Sequence, residues 1–272
     1  MARRGAGVVT DPTRGREVPE RDERPARRRD QDDVWAPETW AEVKGPERAK
    51  RADPRPAKRS PRPSGLAEDV LSELRRALGP TEAARLAPRL AQAIRAYERD
   101  RYDDALRALR SIAGLAPGAP AVRELLGLTL YRLGRWRAAI EELNAFHTLT
   151  KSYDQHPVLA DCHRALRHWK AVDELWEDLR QASPGAELVA EGRIVAAGAL
   201  ADRGDMADAI QLLERSPAGR KRVRPHDLRV SYALAGLYER SGDVPRAREL
   251  LRMVAIHDPD FVDVEARLSA LS

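Results

Sequence analysis

Apolar residues from Leu66 onward recur at the three- and four-residue spacing that places them on one face of an α-helix. The first run covers Leu66–Leu78 and stops at Gly79-Pro80, a pair that ends helices. The last run covers Phe261–Leu271, after Pro259. The pattern therefore predicts an all-α region over residues 66–272 with a short helix at each end. The residues that we expect to face inward in these two helices are Leu66, Val70, Leu71, Leu74, Leu78, Phe261, Val264 and Leu268.

Between these end helices, the pattern repeats about every 34 residues. The anchor positions, separated by 34, 33, 37 and 38 residues, are Ala105, Ala139, Val172, Ala209 and Ala247. Large apolar residues lie three positions before each anchor: Tyr102, Trp136, Trp169, Met206 and Val244. Others lie four positions after each anchor: Leu109, Leu143, Trp176, Leu213 and Leu251. Small residues lie twelve before each anchor: Ala93, Gly127, Ala160, Ala197 and Ala235.

The repeated positions fit five hairpins of two antiparallel helices each. Small residues on both helices allow a close crossing, and the large residues share one helical face and fill the space between hairpins. Gly134, Gly204 and Gly242 stand where the chain must turn between the two helices. Prolines follow three of the second helices and stop them, at positions 117, 184 and 259.

This pattern resembles the tetratricopeptide repeat over roughly residues 87–260, most clearly in Leu125–Leu143 and Leu234–Leu251. The third repeat departs from the family pattern, with Arg167 in place of the turn glycine and Val172 in place of the anchor alanine. The resemblance implies a right-handed superhelical solenoid of about five repeats, with the end helices as caps. It also implies a non-catalytic scaffold or adaptor.

The resemblance further implies a binding site on the concave face, which the first helix of each hairpin lines. The family's lining positions correspond here to Leu90, Ile94, Tyr97, Glu124, Leu128, Tyr131, Asp161, Arg164, Glu191, Ile194, Tyr232 and Glu239. The Lys and Asn set with which many members clamp a carboxy-terminal carboxylate is missing. We therefore expect a groove with an apolar and tyrosine floor and an acidic rim, which binds a peptide or protein segment, preferably a basic or amphipathic one.

Residues 1–65 have a different composition from the rest of the chain. They contain no Leu, Ile, Phe or Tyr, and they hold nine of the 19 prolines. They carry 17 Lys and Arg against 12 Asp and Glu, which leaves residues 66–272 with 31 of each sign (48 − 17 and 43 − 12). We expect a disordered basic tail. The alternative function, a nucleic-acid-associated protein, rests on this tail and on a basic loop at Arg220–Arg224.

One segment of the tail is richer in apolar residues than its surroundings. Val34–Val43 carries two of the five tryptophans, Trp35 and Trp40. Pro37 can open a short helix there, and Gly45-Pro46 can close it. Two interpretations remain open, a short docking motif and a chance remnant.

The sequence contains no nucleotide-binding, zinc-protease or nucleophile-elbow motif, so we expect neither an enzyme nor a cofactor. Four histidines lie near Cys162 in sequence, at positions 147, 156, 163 and 168. Their spacing does not place ligands on one helix face, and we expect no metal. The single cysteine suits a reducing cytoplasm. The N-terminus lacks a signal-peptide pattern, and the longest stretch without strongly polar residues, Ile194–Ala201, is too short to span a membrane.

Overall fold

A computed structural model describes residues 66–215 and 223–271, which form twelve α-helices and no strand. The helices are α1 Glu68–Leu78, α2 Pro80–Tyr97, α3 Tyr102–Leu115, α4 Pro120–Arg132, α5 Trp136–Thr150, α6 His156–Ala165, α7 Trp169–Ala182, α8 Ala186–Asp202, α9 Met206–Glu214, α10 Pro225–Ser241, α11 Val244–His257 and α12 Val264–Ala270. The all-helical prediction is thereby confirmed for the described ranges.

The helices pair into five consecutive hairpins, α2–α3, α4–α5, α6–α7, α8–α9 and α10–α11. Each second helix packs against the first helix of its own hairpin and against that of the next. First helices also contact one another along the row α2, α4, α6, α8 and α10. The end helices α1 and α12 pack on α2 and α11 respectively. This is the predicted solenoid with its two caps.

The anchor positions carry the packing between helices. All five anchors are completely buried, at 0% exposure. Each second helix begins at the large residue predicted three positions before its anchor. At Gly127, an added Cβ would lie 2.6 Å from Cδ2 of Leu143 in the partner helix, so a larger residue would force the buried Leu143 side chain to move. The sequence pattern therefore identified the helix contacts as well as the helices.

All five hairpin turns contain a residue in the left-handed region. Gly134, Gly204 and Gly242 have φ of 69°, 102° and 85°, as glycine readily allows. In the first and third hairpins the same region is occupied by Asp100 and Arg167, both with φ of 58°. The third repeat therefore keeps the family's turn geometry without the family's glycine.

The two end helices are shorter than predicted. The first begins at Glu68, although Leu66 still packs against the core. The last begins at Val264, because Phe261 lies in the preceding turn, where its ring is buried. The predictions for the tail, for segment 34–43 and for the cations at 220–222 lie outside the described residues. The division of the chain at residue 65 stays a prediction.

Candidate partner-binding groove

A groove runs along the inner side of the first helices, from α4 to the turn before α12. It encloses a cavity of about 260 Å³. Its lining, which we name the inner groove, consists of Tyr131, Pro157, Val158, Asp161, Arg164, Glu191, Ile194, Val195, Arg229, Tyr232 and Phe261. Four first helices, α4, α6, α8 and α10, therefore contribute to one surface.

Apolar side chains form most of the inner groove. Val158 lies on α6, and Ile194 and Val195 are adjacent on α8. At the C-terminal end, the rings of Tyr232 and Phe261 pack with centroids 5.4 Å apart. Val158, Ile194 and Val195 are half-buried and leave apolar surface for a partner, whereas Tyr232 and Phe261 are buried and support that surface from below.

Arg164 is the centre of a buried polar network beside this apolar surface. Its guanidinium Nε donates to an Asp202 carboxylate oxygen at 2.7 Å, and its Nη1 donates to Asp161 at 3.4 Å. The Tyr131 hydroxyl donates to the other Asp161 oxygen at 2.7 Å. Gly198 leaves room for the guanidinium, since an added Cβ would lie 2.7 Å from Arg164 Cζ. The network joins α4, α6 and α8.

Similar polar contacts connect the other first helices. Arg229 Nη2 on α10 donates to Glu191 on α8 at 2.7 Å, and Gln155 Nε2, immediately before α6, donates to Glu124 on α4 at 2.7 Å. Arg267 on α12 pairs with Glu239 on α10 at 2.9 Å. These contacts bridge successive repeats along the inner side.

Burial sets the acid–base behaviour of the inner groove. It raises the pKa of the Tyr131 hydroxyl, and the neighbouring Asp161 carboxylate raises that pKa further. Burial and the hydrogen bond to Asp263 raise the pKa of Tyr232 to about 12. Burial also raises the pKa of Glu191, and the adjacent Arg229 opposes that shift. Both tyrosine hydroxyls are therefore held more firmly in their neutral form, and the charged lining groups lie in pairs, Asp161 with Arg164 and Glu191 with Arg229.

Half of the twelve predicted binding residues line the inner groove: Tyr131, Asp161, Arg164, Glu191, Ile194 and Tyr232. Leu90 does not, and its placement on a binding surface is corrected. Only 1% of it is exposed, because it lies in the same buried cluster as Leu74 of α1. The capping helix covers the first hairpin where the family pattern would leave an open surface.

The remaining predicted residues lie elsewhere on the first helices. Ile94 and Tyr97 are half-buried against the first core cluster, and Tyr97 packs edge-on against Tyr102 with ring centroids 5.4 Å apart. Leu128 is half-buried on α4. Glu124 and Glu239 contact Gln155 and Arg267, respectively. None of these five residues belongs to the inner groove.

Five lining residues were not predicted: Pro157, Val158, Val195, Arg229 and Phe261. A helical spacing signal existed for four of them. Pro157 and Val158 lie four and three residues before Asp161, Val195 lies four after Glu191, and Arg229 lies three before Tyr232. Phe261 carried no such signal, because it reaches the inner groove from a turn.

The described histidines do not assemble a metal centre. In residues 66–215 and 223–271, no group of three or more His, Cys, Asp or Glu side chains is arranged to hold a metal ion. His163 and His168 face each other, with their Nδ1 atoms 3.3 Å apart. Within the same ranges, every helix is too short or too polar to cross a lipid bilayer.

Comparison with known proteins places this architecture in a family. Residues 90–152 and 200–271 each match a model described as tetratricopeptide repeat. The chain is a tetratricopeptide-repeat protein. Proteins with such repeats are generally scaffolds for protein–protein interaction without catalytic activity. A search of curated proteins gave no match.

Two solved structures share the fold. One is TTC0263, a thermophilic tetratricopeptide-repeat protein of Thermus thermophilus, with 20% identity and a TM-score of 0.53 over 67% of this chain and 96% of that chain. The other is the apo form of the quorum sensor NprR from B. thuringiensis, with 17% identity and a TM-score of 0.53 over 75% of this chain and 62% of that chain. At these identities the likeness concerns the fold.

Proposed function

We propose that this protein is an adaptor that binds a peptide or protein segment in the inner groove. The observation that supports the proposal best is the combination of half-buried apolar side chains on α6 and α8 with charged side chains that are already paired. Such a surface can accept apolar anchors of a partner without leaving a buried charge uncompensated.

The charge pairing narrows the kind of partner that we favour. The sequence indicated an acidic rim of Glu124, Asp161, Glu191 and Glu239, which would favour a basic or amphipathic segment. Three of these carboxylates lie beside arginines: Asp161 beside Arg164, Glu191 beside Arg229, and Glu239 beside Arg267. An amphipathic segment with aromatic or aliphatic anchors therefore suits the inner groove better than a strongly basic one.

The nucleic-acid alternative depends on the basic tail and on cations at 220–222, all of which lie outside the described ranges. No feature of the described helices favours it over the groove. It makes a separate prediction, namely that nucleic acid co-purifies with the protein and is removed by high salt.

A peptide-display selection on the full chain tests the proposal. Val158→Glu places a charge in the apolar part of the inner groove, and we expect it to weaken selected peptides at least about tenfold. Ile256→Glu is the matched control, since Ile256 is 80% exposed on α11, away from the inner groove. Circular dichroism should show equal helix content in the wild type and in the two variants. Equal peptide affinity for both variants would contradict the assignment of the binding site to the inner groove.

A further inference from the structure

The chain itself contains a segment whose composition fits the inner groove. Residues 1–65 hold no Leu, Ile, Phe or Tyr, yet Val34–Val43 combines Trp35, Trp40 and two valines within ten residues. Tryptophan is the side chain that contributes most to binding at well-packed interfaces. The inner groove offers Tyr131, Tyr232 and Phe261 as aromatic partners.

We propose that Val34–Val43 binds the inner groove of its own chain and thereby competes with the partner. This inference rests on the proposed function, because it assigns an occupant to the same groove. The protein then has two forms, one with its own segment bound and one open to a partner, and a partner must displace the segment to bind.

The apolar spacing of the segment matches the spacing of the first helices. In an extended conformation successive side chains point to opposite faces, so Trp35 and Val43 share one face, and Trp40 lies on the other. At about 3.3 Å per residue, Trp35 and Val43 are about 26 Å apart. Packed helices lie about 8–10 Å apart, so three helix steps along the row, from α4 to α10, cover a similar distance. Trp35 and Val43 would then contact different first helices of the same groove.

The charges of the segment are compatible with this placement. Its two carboxylates, Glu38 and Glu42, lie on the face opposite Trp35 and Val43, so both point away from the groove floor when Trp35 and Val43 contact it. The four charged lining residues already form pairs, so the segment has no buried charge to neutralise. Apolar contact would supply most of the binding free energy.

The connection to the solenoid is long enough. Lys44–Gly65 provides 22 residues between the segment and Leu66, which packs against the first core cluster. A chain of this length spans at most about 75 Å. From α2 to α8 the first helices make three steps of about 8–10 Å, which is roughly 30 Å. A tether of this reach holds a ligand at an effective concentration of about a millimolar.

Disulfide trapping in the full chain tests the placement. Cys162 is completely buried, and burial raises the pKa of its thiol, so added cysteines are the ones that react. Thr39→Cys, on the same face of the extended segment as Trp35, combined with Val158→Cys places one thiol in the segment and one in the inner groove. The control pair is Thr39→Cys with Glu174→Cys, since the Glu174 side chain is 63% exposed on α7, a second helix.

In a glutathione redox buffer, we expect the groove pair to form its intramolecular disulfide at least about tenfold faster than the control pair. Adding Trp35→Ala and Trp40→Ala should reduce that rate to the control rate. Equal rates for the two pairs, or a rate indifferent to the tryptophans, would overturn the inference. A disulfide that forms only between two chains would also overturn it, since a second copy would then be the occupant.

A competition measurement separates this inference from the proposed function. A display-selected peptide is titrated into the full chain and into the Trp35→Ala/Trp40→Ala variant. We expect the variant to bind the peptide at least about tenfold more tightly, because its groove is open. Equal affinity for both proteins overturns self-binding and leaves the proposed function intact. Failure of every selected peptide to bind either protein overturns the proposed function as well.

Discussion

The guanidinium Nε of Arg164 lies 2.7 Å from a carboxylate oxygen of Asp202, 38 residues later in the chain. The Arg164 side chain is 3% exposed and that of Asp202 14%. The contact joins α6 to α8 directly beside the inner groove. This buried ion pair connects the first helices of two successive hairpins. The small residues at the crossings act only between the two helices of one hairpin.

Removing Asp202 should therefore destabilise the protein. Asp202→Ala removes the 2.7 Å partner of the buried Arg164 charge and also the 3.3 Å contact of Asp202 with Arg240, and we expect a loss of about 2–4 kcal/mol in the free energy of unfolding. Asp173→Ala is the control, because its 2.9 Å ion pair with Arg203 is solvent-exposed and should contribute less than about 1 kcal/mol. Urea unfolding measures both. Equal losses would contradict a special role for the buried pair.

Gly198 should tolerate no side chain, because of the same arginine. Alanine normally stabilises a helix by about 1 kcal/mol relative to glycine. At Gly198 the new Cβ would meet the Arg164 guanidinium, so we expect Gly198→Ala to destabilise the protein. Gly114→Ala on α3 is the control, since no atom lies within 4 Å of its added Cβ, and it should stabilise. The melting temperatures of the two variants should shift in opposite directions.

Glycine at position 167, the family's usual residue in this turn, should stabilise the third hairpin. Arg167 holds a left-handed conformation with φ of 58°, which costs a residue with a Cβ about 1–2 kcal/mol. We expect Arg167→Gly to raise the free energy of unfolding by about 1 kcal/mol, whereas Arg167→Ala, which keeps the Cβ, should not. A destabilised Arg167→Gly would mean that the arginine side chain makes a contact worth more than the strain.

This turn shows what the sequence could and could not predict. The anchors and the glycines predicted five hairpins, because close helix crossings demand small residues at fixed spacing. The repeat placed Arg167 at the position of the turn glycine, but arginine has no preference for the left-handed region, so only the structure shows that it adopts the glycine conformation. Nor could the sequence pair Arg164 with Asp202, because contacts between first helices depend on how far each hairpin rotates on the next. Leu90 was misplaced for a related reason, the cover provided by α1.

Stability should fall when the pH is lowered through the range in which histidine titrates. His156 is 4% exposed, and burial followed by the nearby His147 lowers its pKa, with Asp178 opposing. Below about pH 6.5, the unfolded chain therefore binds a proton at His156 more readily than the folded chain does. The contribution of His156 to the free energy of unfolding is fully present above that pH and declines below it.

Urea unfolding of the wild type and of His156→Phe at about pH 7.5 and about pH 5.5, on either side of the histidine range, measures this effect. The aromatic replacement keeps a ring next to His147, whose centroid lies 4.8 Å from that of His156. We expect the wild type to lose more stability on acidification than the variant. An equal or larger loss in the variant would assign the pH dependence to other groups.

The site of partner binding is tested most directly by photo-crosslinking. A display-selected peptide that carries a benzophenone is irradiated with the full chain, and the attached residues are identified by mass spectrometry. The account predicts attachment to residues of the inner groove on α6, α8 and α10, such as Val158, Ile194 and Tyr232, and its loss in Val158→Glu. Attachment mainly to the second helices or to residues 1–65 would contradict it.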